Sequence, residues 1–371
     1  MGLQIFLDNI VFNIQKFGGA STYWNELQKR FVKLQGINII VQSEQQKLHQ
    51  RVQTTGTDVK FIVEDLLPPS ISRYLPLTKR LPAKSLYHGS YYRTCLQKNV
   101  VNIFTIHDFT HKKGLASTFP RKLVHIWLTA LGIRNADGII CISENTKKDL
   151  MLYFPQIPQH KIKVIYHGVN EDFFPVPKLT GVVFKDSVNF DDRFVLFVGK
   201  REGYKKFDIV AEALKLQDDL KLVIVGGGEL TEQEREYLNT NVNGRFIKLD
   251  GLNNNELNIL YNHAFALIYP SIYEGFGFPV VEAMRAGCPV ISNNLSSIPE
   301  VGGDAVMMIS EISSSAIIEK IRLLNQNEVR EAMISKGLIQ SKNFNWEKCF
   351  NETYQFYIDT YYQKFQKRND L

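Results

Sequence analysis

Residues 266–284 read ALIYPSIYEGFGFPVVEAM, and the order of textures in this stretch decides the fold. An apolar run closes on Pro-Ser, a glycine-aromatic turn follows, and Pro279 opens an apolar helix that Gly287 can terminate. A strand, a tight turn and a helix in that order form the unit from which parallel sheets are built. The same texture recurs on either side. FVLFVGK, KLVIVGGG, RFIKLDG and PVISNN are short β-rich runs divided by helical stretches, and so, nearer the N-terminus, are LQIFLDN, INIIVQ, VKFIVE, SLYHG, VNIFTIHD, GIICIS and KVIYHG. Near-continuous Val/Ile runs, rather than strict alternation, mark strands buried on both faces. Between the two series, EDFFPVPKLTGVVFKDSVNFDD carries two prolines and little periodicity. The expected fold class is therefore α/β, with two doubly wound Rossmann-like domains facing across a cleft. The first spans residues 1–175 and the second 176–345. A final aromatic helix, 346–371, is expected to pack back toward the first domain. Open parallel sheets bind ligands beyond the carboxyl ends of their strands, so the cleft is the expected site.

The bulk composition narrows the function classes. A length of 371 residues, 44% hydrophobic and 22% charged, suits a two-domain globular chain. No apolar run reaches a membrane-spanning length, and MGLQIFLDN lacks the basic start and apolar stretch of a secretory signal. Cys95, Cys141, Cys288 and Cys349 stand far apart with no Cys-x-x-Cys pair, which argues for thiols in a reducing cytoplasm. Charge is unevenly divided. Residues 1–175 hold 22 basic and 12 acidic side chains, a net of +10, whereas the remainder holds 22 and 26, a net of −4.

Within the opening stretch, Gly275 and Gly277 allow backbone N–H groups to face a ligand, and the helix N-terminus adds partial positive charge. That geometry favours a phosphate. Glu282 stands one turn into the helix, where a carboxylate can accept hydrogen bonds from both hydroxyls of a ribose. Glu274 lies on the loop, where a sugar attached to the phosphates would project. The spacing also fits two solvated glutamates on an ordinary turn, the lesser of the two readings. GGGEL at 226–230 does not complete a G-x-G-x-x-G, since position 231 is Thr. No Asp-x-Asp occurs anywhere, so no metal is expected beside a bound phosphate and the chain's own cations and dipoles are expected to take that role.

The motif EGFGFPVVEAMRAGCPV, with SSIPEVGGDA after it, resembles the retaining nucleotide-sugar-dependent glycosyltransferases of family four, which have the GT-B fold. FGGASTYWNEL, ADGIICISENTKKDL, IYHGVN, LYNHAFALIYPS and NWEKC extend the resemblance over nearly the whole chain. It implies transfer of a hexose, with mannose from GDP-mannose as the leading expectation, to a hydroxyl of a glycan acceptor in surface polysaccharide or O-antigen synthesis. Glu274 and His107 would then orient the sugar. Gly19, Lys200 or Arg201, Lys206, Gly275, Phe276, Gly277, Phe278 and Glu282 would hold the donor, with Lys206 the principal cation and Lys205 facing solvent. No cofactor beyond the donor is expected, and no nucleic acid. The acceptor is lipid-linked in one reading, which adds an anionic membrane surface as a partner and the inner face of the plasma membrane as a location. A GT-B nucleotide-sugar epimerase and a catalytically silent glycan-binding protein are the alternatives.

Overall fold

A computed structural model describes residues 3–15, 18–44, 46, 58–115, 119–201 and 203–366. The chain divides into two compact units, Met1–Gly168 with Trp346–Leu371, and Val169–Asn345. The division falls at 168, before the proline-rich stretch, because the Val169 N–H already bonds Phe344 O within the second unit.

The first unit is built on seven parallel strands: β1 (Ile5–Asp8), β2 (Ile37–Val41), β3 (Lys60–Val63), β4 (Ser85–Gly89), β5 (Val100–Ile106), β6 (Gly138–Cys141) and β7 (Ile162–Val164). Their order is β3-β2-β1-β4-β5-β6-β7, so the winding reverses between β1 and β4. All seven residues of β5 are buried, as helices on both faces require. Helix α1 (Gly19–Phe31) follows the first strand, and α2 (Arg121–Asn135) lies between β5 and β6. The terminal helix, Trp346–Gln366, belongs to this unit. Phe31 stacks on Tyr357 at 5.2 Å and meets Phe350 edge-on at 4.9 Å. Lys364 donates to Val100 O at 2.8 Å and pairs with Asp137 at 2.6 Å.

The second unit opens with a short antiparallel hairpin, β8 (Val183–Phe184) and β9 (Val188–Asn189), inside the stretch that reads as aperiodic in sequence. Its parallel sheet comprises β10 (Phe194–Val198), β11 (Lys221–Val225), β12 (Phe246–Leu249), β13 (Ala266–Tyr269), β14 (Val290–Asn293) and β15 (Val306–Ile309), in the order β12-β11-β10-β13-β14-β15. The winding reverses between β10 and β13. Strand β15, VMMI, has no counterpart among the runs recognised in sequence, since two methionines carry little β signal. Helix α3 (Phe207–Leu214) follows β10, and α4 (Phe278–Ala286) follows β13. Gly277 supplies the N-cap of α4 at φ 99°, and Gly287 its C-cap at φ 79°. A Cβ at Gly277 would stand 3.0 Å from Ile298 Cδ1 as well as in a conformation that side chains avoid. All four cysteines are buried and unpaired.

Candidate functional site

At the reversal between β10 and β13, the loops leaving the two strands lie side by side. The β13 loop is held by the segment after β14. Glu274 N–H donates to Ser296 Oγ at 2.8 Å, and Ser297 Oγ donates to the carbonyls of Glu274 and Phe276, both at 3.0 Å. The backbone around Glu274 is thus pinned before any ligand arrives. Its side chain is pinned as well. Oε1 accepts from Tyr269 Oη at 2.7 Å and forms a short ion pair with Lys205 Nζ, which also donates to Tyr269 Oη at 3.0 Å. Both donors converge on one carboxylate oxygen, and among the described residues Oε2 is left as the acceptor a ligand could use.

Lys205 does not take the solvent-facing setting expected of it. Lys205 closes a 3₁₀ turn, Gly203–Lys205, and its side chain is only 12% exposed against Glu274. Lys206 takes the N-cap of α3 in the left-handed region, φ 55° and ψ 40°, and is half-buried. The reversal of chain direction needed to start α3 falls on Lys206, and it is its predecessor that pairs with the loop. Sequence offered no signal for this choice, because a glycine that would mark the left-handed position is absent from YKKF.

Arg201 is also committed elsewhere. Its guanidinium pairs with Glu234 at 2.7 Å and donates to the carbonyls of Gly226 at 3.1 Å, Gly228 at 3.2 Å and Glu229 at 2.9 Å. It is a clamp on the turn after β11, with a side chain 4% exposed. Lys200, beside it, is exposed at the end of β10. Among the described residues a Cβ at Gly199 would meet nothing within 4 Å, so the backbone there is uncovered on that side.

Glu282 lies in the first half of α4, mostly buried, and accepts from Tyr261 Oη at 3.2 Å. Burial pushes its carboxyl up to about 7 from an ordinary 4.5, the Tyr261 bond opposing this only in part. Gly275 and Gly277 sit at the start of α4 with Phe278 as its first residue. The Phe276 ring is buried against Phe278 at 5.2 Å and Phe344 at 5.5 Å, so only its backbone can meet a ligand.

In the first unit, Gly18 precedes α1 at φ 139°, and its carbonyl accepts from Thr22 N and Ser21 Oγ, both at 2.9 Å. Gly19 is the first helical residue. His107 follows β5 directly, edge-on to Tyr23 at 5.4 Å and 5.8 Å from His167. Burial depresses its pKa to about 4, with Asp108 opposing, so the imidazole is neutral. Near it, His88 bonds Tyr357 Oη and, at 2.8 Å, Thr105 Oγ1. These contacts account for His88 as a structural residue tying β4 to the terminal helix. Sequence reading missed a second buried group. Arg93, fully enclosed, pairs with Asp8 at 2.9 Å and Glu64 at 2.6 Å, and Tyr87 Oη donates to Asp8 at 2.7 Å.

Residues 17–173 match the family described as Glycosyltransferase Family 4, and residues 183–339 match Glycosyl transferases group 1. O-antigen chain mannosyltransferase B of Escherichia coli is 42% identical over 103 residues, 28% of this chain and 27% of that protein. O-antigen chain mannosyltransferase RfbU of Salmonella typhimurium is 27% identical over 209 residues, 56% and 55% of the two chains. The chain thus spans less than two thirds of the length of these curated relatives. Among solved structures, sucrose-phosphate synthase from Thermosynechococcus elongatus superposes with a TM-score of 0.71 at 16% identity, over 96% of this chain and 99% of that one. HepE of Anabaena, solved with UDP and glucose, gives 0.69 at 15% identity, over 95% and 99%. At such identities the likeness is one of fold.

Proposed function

We propose a sugar-transfer reaction for this chain, which belongs to glycosyltransferase family 4 and has the GT-B fold of two Rossmann-like units. A hexose moves from a nucleoside diphosphate to a hydroxyl of a glycan acceptor. The bond from the anomeric carbon to the diphosphate breaks, and the acceptor oxygen bonds to that carbon on the same face, with retention. The acceptor's proton leaves with the diphosphate. The observation that carries this reading is the Lys205–Tyr269–Glu274 group beside the N-terminus of α4. It places one cation, the helix's partial positive charge and one oriented carboxylate oxygen on neighbouring loops.

The role expected of Lys206 passes to Lys205, whose ammonium can turn from Glu274 to the departing diphosphate. Lys200 is the second cation, since Arg201 is bound to Glu234 and the turn after β11. The N–H groups at Gly275–Phe278 face the phosphates, and Glu282 takes the ribose diol. Glu274 Oε2 takes hydroxyls of the sugar. From the first unit, Gly19 N–H is assigned to the diphosphate and neutral His107 to the sugar near its anomeric carbon. Mannose from GDP-mannose is the favoured donor, supported by the names of the bacterial relatives. A lipid-linked glycan is the favoured acceptor class.

The test is a panel of GDP-mannose, UDP-glucose, UDP-N-acetylglucosamine and dTDP-sugars, each with and without glycan acceptors. Nucleotide release and the anomeric configuration of the product are followed by NMR. GDP release with an α-linked product from GDP-mannose is expected. Isomerised donor without transfer would replace this reading with an epimerase, and absence of any nucleotide binding would overturn it.

A further inference from the structure

Helix α2 buries Leu128, Gly132 and Ile133, and a side chain at Gly132 would collide with the Phe104 ring. That fixes which face meets the sheet. The opposite face holds apolar residues where charge would be expected. Phe119, just before the helix, is 78% exposed, Leu123 55% and Trp127 58%. Leu123 and Trp127, spaced by four, lie on one stripe of the helix, and Phe119 stands two residues before its first turn, so the three form an exposed apolar ridge at its N-terminal half. Single exposed apolar residues are ordinary, whereas a ridge containing Trp and Phe is not.

The charge around the ridge selects its partner. From Asp108 to Asp137 the sequence contains Lys112, Lys113, Arg121, Lys122 and Arg134 and no acidic residue between those two aspartates. Lys113 is paired with Asp149 at 2.8 Å and Lys112 lies over the Tyr153 and Phe154 rings, but Arg121 stands exposed at the start of the ridge. A second copy of this face would meet like charge, which disfavours self-association. A protein partner would have to be acidic and apolar at once. An anionic bilayer offers both, phosphate outside and hydrocarbon beneath, and amphipathic helices with Lys/Arg and Trp/Phe/Leu lie at that boundary. Among the described residues no helix is long and apolar enough to cross a membrane.

We propose that the α2 face docks flat on an anionic phospholipid bilayer, with Phe119, Leu123 and Trp127 entering the headgroup–acyl boundary and Arg121 and Lys122 meeting headgroup phosphates. This goes beyond the transfer reaction and stands independently of it.

The chain carries three tryptophans, and Trp24 and Trp346 are 1% and 4% exposed, so a change in emission on binding reports Trp127. The full chain is mixed with phosphatidylglycerol vesicles and, separately, with phosphatidylcholine vesicles, at about 50 and 500 mM salt. Expected are a blue shift, quenching by brominated acyl chains, and binding at least tenfold weaker to phosphatidylcholine and at high salt. Leu123→Glu with Trp127→Glu should abolish vesicle pelleting while leaving transfer to a water-soluble acceptor unchanged. Trp127→Phe should still pellet and lose the emission response. Absence of pelleting at low salt overturns the proposal and leaves an acidic protein as the partner to seek. Pelleting without a blue shift or quenching also overturns it, showing adhesion by charge with no apolar entry.

Discussion

Removing the Lys205 ammonium would take away the cation that holds Glu274 at rest and, in the proposed reaction, the one that meets the departing phosphate. Loss of one such electrostatic group typically slows turnover by about 100- to 1,000-fold, and Lys205→Ala is expected in that range. Lys206 supplies the control. At φ 55° it occupies a conformation that disfavours a side chain, so Lys206→Gly should keep activity within about twofold and leave stability unchanged or improved. Steady-state kinetics on the two variants decides between them, and equal losses would return the role to Lys206. Glu282 allows a pH test. Its carboxyl, raised to about 7, is largely protonated below neutrality, whereas a ribose diol donates to the ionised form. Nucleotide affinity should therefore rise with pH through about 7 and level off above 8, with proton release on binding. Calorimetry in buffers of different ionisation enthalpy reads that release, and Glu282→Gln should bind more weakly and without the pH slope. The sequence displayed Glu274, Glu282 and the glycines between them because loop chemistry is local. It could not display Lys205, Tyr269 or the service of Arg201 to the 226–229 turn, because each depends on which neighbour a side chain meets after folding.

Elements raise a different question, that of how the loops are kept in place. Glu234 caps its own helix through Thr231 N–H at 2.8 Å while pairing with Arg201, so one carboxylate joins a helix start to the turn after β11. In the first unit, Arg93 joins the ends of β1 and β3 through Asp8 and Glu64. Breaking such a buried pair leaves uncompensated charge and costs about 3–5 kcal/mol. Arg93→Met should lower unfolding stability by that amount in urea titrations, an effect that a loss below 1 kcal/mol would contradict. Strands such as INIIV and FVLFV were legible because both faces are buried and the whole run is apolar. Strand β15 and the β8–β9 hairpin were not, since VMMI and two-residue ladders leave no periodicity to read. The boundary was legible only as a region, because prolines mark where regular structure stops and not which core the flanking residues join.

The whole molecule consists of one unit formed by a continuous chain and one formed by two separate segments. Residues 169–345 contain a full sheet and a core running from Val195 and Phe197 to Ile321 and Leu324. Expressed alone, they should give a cooperative unfolding transition. Residues 1–168 alone lack Tyr357 and Phe350, which cover Phe31, and Tyr357 Oη, which bonds His88. That fragment should lose near-ultraviolet dichroism and recover it when a peptide of residues 346–366 is added. A native-like spectrum without the peptide would show the terminal helix to be dispensable. The division has a further consequence during synthesis. The ribosome releases the first 168 residues, then roughly 180 more that form the other unit, before Trp346 appears, an interval of roughly 10–35 s at bacterial and eukaryotic elongation rates. Through that interval Phe31 and His88, on the segment made first, lack their partners Phe350 and Tyr357, and the segment made second can finish folding ahead of it. The segment made second can thus be complete before the segment made first, and a chaperone attending this chain would find its substrate within residues 1–168 until residues 346–366 have been made.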